Sequence, residues 1–241
     1  MYSFDTRVRF SEITENKKMS LVAIINCFQD CCTYEAEDGG VGLDWFDTHH
    51  STWMLVNWQI KIKKYPVFCQ NIKVTTWACG FRAFIGKRNF TIEDRETGEL
   101  LVYAYSEWAY VNTEKNRPER NVPEKELNVY GMNEPLQMDF ETGKIEVPQL
   151  EADDSATLLN PITVTRTDID TNHHVNNGKY IELAMSVLPD DIRINGFRAE
   201  YKQQSVLGDT LYPKVYSYSD RRLVILYDEN SNPKLIAEFL L

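Results

Sequence analysis

The chain has 241 residues, 43% of them hydrophobic and 26% charged, with a formal net charge of −10. Those fractions belong to a folded globular protein rather than a disordered one, and the length allows one large domain or two of roughly 120 residues. No apolar run approaches the ~18 residues of a spanning helix, and an acidic surface repels phosphate, so neither a membrane nor a nucleic acid is expected as a partner.

The opening MYSFDTRVRF carries charge at once and lacks the apolar stretch of a secretory signal. Cys27, Cys31, Cys32, Cys69 and Cys79 all lie in the first third. An odd count without a signal argues for reduced thiols, hence a cytoplasmic location. They include no C-x-x-C pair, and small buried hydrophobes are the preferred reading of them; no metal and no cofactor is expected.

The first helix is predicted from about Met19 to Glu37, where Leu21, Ile24, Ile25, Phe28 and Cys32 recur at helical spacing before Gly39-Gly40 stops it. Four strands follow, at Thr52 to Ile62, Val67 to Trp77, Phe81 to Glu93 and Leu100 to Val111. Tyr65-Pro66, Cys79-Gly80 and Thr97-Gly98 are read as the breaks between them. Between Thr48 and Ile92 the charges are all basic: Lys61, Lys63, Lys64, Lys73, Arg82, Lys87 and Arg88. All 36 acidic residues therefore lie elsewhere. Such a segment is either a solvated face or one reserved for an acidic partner.

From Asn112 to about Ala156 the chain turns polar and is punctuated by Pro118, Pro123, Pro135 and Pro148, the composition of a long connection. The expected division is a first domain at 1–135, a linker at 136–156 and a second domain at 157–241. A second helix is predicted from Asn176, with Asn176 or Asn177 as its cap, to just before Pro189. Strands are predicted at Asn195 to Val206, Leu211 to Ser219, Arg222 to Asp228 and Leu235 to Leu240.

The halves echo one another. At an offset of 156 residues, Glu12-Ile13-x-x-Asn16 falls on Asp168-Ile169-x-x-Asn172, Met19 on Val175 and Ile25 on Ile181. The mismatches are informative, since Thr14 stands opposite Asp170 and Lys18 opposite His174. Function is expected in the half that holds the acid and the imidazole.

The run Asp168 to Asn177, DIDTNHHVNN, gathers two aspartates, two histidines and three asparagines at a helix start. There, unpaired N–H groups and the helix dipole favour the negative charge that grows on a carbonyl oxygen under attack by water. His174 is suited to proton transfer near neutrality, Asp170 to orienting it or acting as base, and Asn172 to holding water or carbonyl. Asp and Asn also make good turns and caps, so local capping remains an alternative from these residues alone.

That run, continued by Lys179-Tyr180-Ile181, resembles the D-L-D-x-N-x-H-V-N-N-x-K-Y-I signature of the acyl-acyl carrier protein thioesterases. Trp53, Lys64-Tyr65-Pro66, Thr76-Trp77, Arg88, Asp94, Thr97-Gly98-Glu99 and Ser106-x-Trp108 resemble the family's first domain, and Glu200-Tyr201-Lys202 a strand of its second. The resemblance implies an α+β double hot-dog fold and hydrolysis of the thioester between a fatty acyl chain and the carrier's phosphopantetheine arm. It also implies catalytic roles for Asp170, Asn172 and His174. Where the family reads E-Y-x-x-E-C, this chain has Gln204 and Ser205 in the last two places. The nucleophilic thiol is thus absent, and Gln204 is left to position water through its amide. The expected mechanism is attack by water, helped by helix-end amides near Val175 to Asn177.

An apolar lining for the acyl chain is expected on the first helix, from Ala23, Ile24, Cys27, Phe28 and Cys31. Acyl carrier proteins are strongly acidic, so docking is expected at Lys61, Lys63, Lys64 and Arg88. The rival readings are an acyl-CoA thioesterase, a hot-dog hydratase and a non-catalytic acyl sensor. Pairing of two copies as a homodimer is left open.

Overall fold

The structure is a computed structural model and describes residues 1–141, 143–148, 157–189 and 192–241. The chain separates into two compact units, Met1–Val56 with Ile60–Phe140, and Asn57–Gln59 with Glu141–Leu241. Much of the expected linker, 149–156, lies outside the described residues.

In the first unit the elements are β1 (Tyr2–Arg7), α1 (Leu21–Asp38), α2 (Leu43–His49), β2 (Ser51–Ile62), β3 (Asn71–Arg82), β4 (Ile85–Asp94), β5 (Leu100–Asn112), β6 (Arg117–Pro118) and α3 (Glu124–Tyr130). The strands run in the order β1-β3-β4-β5-β2, with β6 on β5. Ser20 caps α1 by accepting the Ala23 N–H at 3.1 Å. The helix ends where the Gly39 N–H bonds Glu35 and Gly40 takes a positive φ of 67°. Its apolar stripe, Leu21, Ile24, Ile25 and Phe28, is buried, and α1 packs on β1 and β3. On the sheet, Val74, Ile92 and Val102 form one fully buried cross-strand row, and the Phe90 ring stands 5.0 Å from Phe28. This is the packing expected of alternate residues on one sheet face.

The second unit holds β7 (Thr157–Leu158), β8 (Ile162–Thr163), α4 (Asn177–Met185), β9 (Gly196–Tyr201), β10 (Thr210–Ser217), β11 (Arg221–Tyr227) and β12 (Pro233–Leu240). Strand order is β9-β12-β11-β10-β7, and β8 also pairs with β10. Ala199, Ala237, Val224 and Val215 make a buried row across four strands. Alternate residues Leu223, Ile225 and Tyr227 point the other way and are buried with Ile145, Tyr216 and Ile236. Burial on both faces explains why β11 reads as an unbroken apolar run from Leu223 to Tyr227. α4 packs against β11 and β12.

One main helix and a following antiparallel sheet thus recur in each unit, the α+β plan read from the sequence. The differences in detail have local causes. The strand expected from Val67 begins only at Asn71, because Val67 to Gln70 form a turn with Cys69 at φ 67°. Cys79-Gly80 does not break the sheet: a register shift between Ala78 and Gly80 is absorbed as a bulge within β3. The true turn follows Arg82, with Ala83 at φ 58°. β9 stops at Tyr201 rather than Val206, and α4 at Met185 rather than beside Pro189. In the polar connection, α3 is held by Glu126, wholly buried, whose carboxylate accepts from Trp45 (3.0 Å), Trp53 (2.9 Å) and Tyr110 (2.9 Å). Such tertiary bonds are invisible to composition. Among the described residues no helix is long and apolar enough to cross a membrane.

Candidate active site

The candidate residues lie on the loop between β8 and α4. A single 3-10 turn, Arg166–Asp168, opens it; the Asp168 carboxylate folds back to accept the Thr165 N–H and hydroxyl, both at 2.7 Å. Ile169 and Val175 then pair across the loop. Inside that pair, the Asp170 N–H donates to His174 O at 2.9 Å and the His173 N–H to Asp170 O at 3.1 Å, with His173 at φ 62°. Asp170 Oδ1 accepts the Asn172 N–H at 2.8 Å and the His174 N–H at 3.4 Å. Asn176 caps α4, its Oδ1 accepting from Gly178 (2.8 Å) and Lys179 (3.4 Å).

Asp170 thus performs the capping function that its residue type suggests, and also delivers a carboxylate to the loop that carries His174. His174 is half-buried, and its Nδ1 is buried without a hydrogen-bond partner among the described residues. Unsatisfied buried polar atoms are costly and concentrate where chemistry is done. Asn172 is exposed. Two of the helix-end amides expected to meet an oxyanion are instead engaged, Val175 N–H with Ser205 O at 2.9 Å and Asn176 N–H with Asp168 O at 2.8 Å, and the Asn176 side chain caps the amides of Gly178 and Lys179. Closing the loop and starting the helix consumes those donors.

The Val175–Ser205 bond lays the segment after β9 alongside the loop, so Gln204 and Ser205 neighbour His174 and Val175 in space. Gln204 is exposed at this edge. Ser205 is fully buried, and its Oγ has no partner in hydrogen-bond geometry among the described residues. Two tyrosines, quoted in the sequence only as parts of the family-like motifs and given no role there, complete the arrangement. The Tyr180 hydroxyl donates to Gln203 O at 3.2 Å and the Tyr201 hydroxyl to Asn177 O at 3.1 Å. Burial pushes the Tyr180 phenol up to about 12 and Tyr201 well above its ordinary value. The K-Y-I continuation of the motif was the only signal for Tyr180.

Ala23, Ile24, Cys27 and Phe28 are all buried on α1 within the first unit, where they pack as core. Burial pushes the Cys27 thiol up to about 12. Of the expected docking residues, Lys63 and Lys64 are exposed and Lys61 half-exposed. Lys64 pairs with Glu99 at 2.7 Å, and Lys63 lies over the Tyr103 ring at 5.7 Å. Arg88 does not belong with them. It is buried, ion-paired with the buried Glu35 of α1, bonded to Thr76 at 3.3 Å and stacked over Tyr130 at 5.2 Å. A guanidinium so enclosed has no reach to a partner.

The backbone of this loop is repeated in the first unit. Phe10–Glu12 forms the equivalent 3-10 turn, Ile13 pairs with Met19, Thr14 N–H bonds Lys18 O (2.8 Å), and Lys17 takes φ 58°. Ser20 N–H bonds Glu12 O at 2.8 Å, as Asn176 bonds Asp168. The offset is the 156 residues read from the sequence.

Solved structures align over nearly the whole chain. An acyl-ACP thioesterase from Bacteroides thetaiotaomicron is 22% identical with a TM-score of 0.86, covering 99% of this chain and 96% of the other. The 12:0-ACP thioesterase from Umbellularia californica is 21% identical with a TM-score of 0.84, over 99% and 96% of the two chains. The fold is therefore that of the double hot-dog thioesterases. The acyl-ACP thioesterase N-terminal domain profile matches residues 1–130 and the C-terminal domain profile residues 151–211, so the chain belongs to the acyl-ACP thioesterase family. Curated relatives include a chloroplastic dodecanoyl-[acyl-carrier-protein] hydrolase of Cinnamomum camphora, 26% identical over 85% of this chain and 56% of its own length. Another is the chloroplastic oleoyl-acyl carrier protein thioesterase 2 of Arabidopsis thaliana, 28% identical over 77% of this chain and 53% of its own. The chain spans about half the length of these curated relatives.

Proposed function

We propose that this protein hydrolyses fatty acyl-acyl carrier protein thioesters, releasing free fatty acid and the carrier's thiol, and that it works in the cytoplasm. What supports this reading is the closed loop of Asp170, Asn172 and His174, tied by Val175 N–H to Ser205 O next to Gln204, in a chain of this family. His174 takes a proton from water, the resulting hydroxide adds to the thioester carbonyl, and the C–S bond breaks as the departing thiolate is protonated. Asp170 shapes the loop and supplies negative charge beside the imidazolium that forms. Asn172 and Gln204 are the side-chain amides assigned to steady the water and the oxyanion.

Free-thiol release measured over a ladder of acyl-carrier substrates tests this, alongside the same acyl groups on coenzyme A. Carrier substrates should give the higher kcat/KM. Equal values, or hydration of an enoyl thioester without thiol release, would move the assignment to one of the rival enzymes.

Carrier docking is proposed for Lys61, Lys63 and Lys64 without Arg88. Reversing the three lysines to Glu should raise KM for carrier substrates by roughly tenfold, as loss of complementary charge weakens encounter. A small acyl-thioester analogue should be unaffected; an equal rise for both rules out docking there.

A further inference from the structure

We propose that Tyr180 is a positioning residue for hydrolysis, fixing Gln204 against His174; the inference rests on the function proposed above. Tyr180 lies in the first turn of α4, four residues after the Asn176 cap, and its N–H closes the helix on Asn176 O at 3.0 Å. Helical side chains lean toward the N-terminus, so the phenol is carried back over the loop that holds His174. Its hydroxyl donates to Gln203 O at 3.2 Å. On the other side of Gln204, the Ser205 N–H and hydroxyl lie close enough to moderate the rise that burial imposes on the phenol, although the Ser205 hydroxyl is outside hydrogen-bond geometry. The hydrogen bond itself falls on the residue immediately before Gln204.

Three further ties define the same segment. Ser205 O accepts Val175 N–H at 2.9 Å, one residue from His174. The Tyr201 hydroxyl crosses in the opposite direction, from the end of β9 to Asn177 O at 3.1 Å, with the two tyrosine rings 6.1 Å apart edge to face. Lys234 Nζ reaches from β12 to Gln203 Oε1 at 3.2 Å and Gln204 O at 3.3 Å. β9 ends at Tyr201, the Lys202 and Gln203 N–H groups still reach Lys234 O at 2.9 and 3.4 Å, and beyond them these side chains add to the backbone bonds that hold the segment. Gln204 is exposed, whereas Tyr180, which holds the carbonyl of the residue before it, is buried.

Steady-state kinetics of the full chain with a carrier-bound acyl substrate test the role. Tyr180→Phe keeps the ring and removes only the hydroxyl, and kcat should fall about 10–100-fold with KM within about twofold, the scale of a misplaced catalytic group. Gln204→Ala should show the same split, and the double variant should be no slower than the worse single one, because both changes undo one arrangement. A Tyr180→Phe enzyme with wild-type kcat, a Gln204→Ala enzyme with wild-type kcat, or losses that multiply in the double variant would each overturn the proposal. Should Tyr180→Phe fail to fold, Lys234→Ala holds the same segment less firmly without touching the core; a kcat-only loss supports the inference and an unchanged kcat rejects it. Absence of hydrolysis by the unmodified chain would overturn the underlying function instead, and this role with it.

Discussion

The loop before α1 and the loop before α4 have one backbone and two chemistries. Both open with a 3-10 turn, close on an isolated bridge and place a non-glycine residue, Lys17 or His173, at positive φ. In the first, the Thr14 hydroxyl donates to Lys18 O at 3.3 Å; in the second, the Asp170 carboxylate accepts from the N–H groups of Asn172 and His174. Either side chain closes the loop, so closure by itself does not require an acid. What distinguishes the second loop is a carboxylate at the Asp170 place, where the first has Thr14, and an imidazole at the His174 place, where the first has Lys18. The repeat continues where the sequence hides it. Val67 N–H bonds the Gln70 side chain at 2.9 Å, and Val206 N–H bonds the Asp209 side chain at 3.0 Å; Cys69 and Gly208 both take positive φ. Tyr65-Pro66 in the first unit thereby stands where Gln204-Ser205 stands in the second.

The largest expected effect breaks this comparison directly. His174→Ala and Asp170→Asn should each lower kcat by about 10²–10⁴-fold, the usual worth of general-base assistance. Asn retains the oxygen that accepts the loop amides, so the fold should survive. Lys18→Ala, at the matching place in the first unit, should leave kcat unchanged. Comparable losses in Lys18→Ala and His174→Ala would mean that the two loops are not functionally distinct.

Next in size is a stability effect. Arg88 and Glu35 form a buried pair between β4 and α1, so Arg88→Met leaves a buried carboxylate unpaired and should cost about 3–5 kcal/mol in urea unfolding. Its KM for carrier substrates should stay near wild type in the protein that remains folded. A stable variant with a raised KM would return Arg88 to the docking surface.

A smaller contrast concerns acid. Asp94, at the β4–β5 turn, is held down at about 2 by the Gln70 amide and the Thr97 N–H and hydroxyl. Asp228, at the β11–β12 turn, is held below its ordinary value by the Asn232 N–H first of all. Both folded-state values lie under the unfolded one, so the stability they give is present above about pH 4 and is lost as pH falls toward 2. Asp94→Asn and Asp228→Asn should each flatten the acid limb of a thermal-stability profile. An unaltered limb in both variants would show that other carboxylates set it.

The smallest effect separates core from site. Burial holds the Cys27 thiol up at about 12, so at pH 8 an alkylating reagent should modify Cys27 in urea and leave it intact in the native chain, as read by peptide mass spectrometry. Rapid native labelling would show that the α1 core opens to small molecules.

Helical and strand periodicity made most of the fold legible. The α1 stripe, the runs that became β2, β5, β11 and β12, and the offset of 156 residues all survive in three dimensions. What failed was short or tertiary. The turn at Val67–Gln70 and the bulge at Gly80 look alike in sequence, since a β-branched residue or a glycine is compatible with both roles. α3 depends on Trp45, Trp53 and Tyr110 converging on Glu126, three residues distant in the chain. At the candidate site, Asp170, Asn172 and His174 were visible as a cluster, whereas Tyr180, Tyr201 and Lys234 became relevant only once the segment after β9 was seen to need holding.

Residue types and their spacing determined that this chain has two related halves, each with one main helix and a sheet, and that only the later half carries an acid and an imidazole on its loop. Tertiary structure alone decided that Arg88 is an internal strut, that the Val175 and Asn176 amides ahead of α4 are occupied, and that the Tyr180 hydroxyl reaches the carbonyl of Gln203 beside Gln204. The reason is physical: periodicity reports which face of an element is buried, but the partner of a hydrogen bond or ion pair is set by elements that meet only after folding.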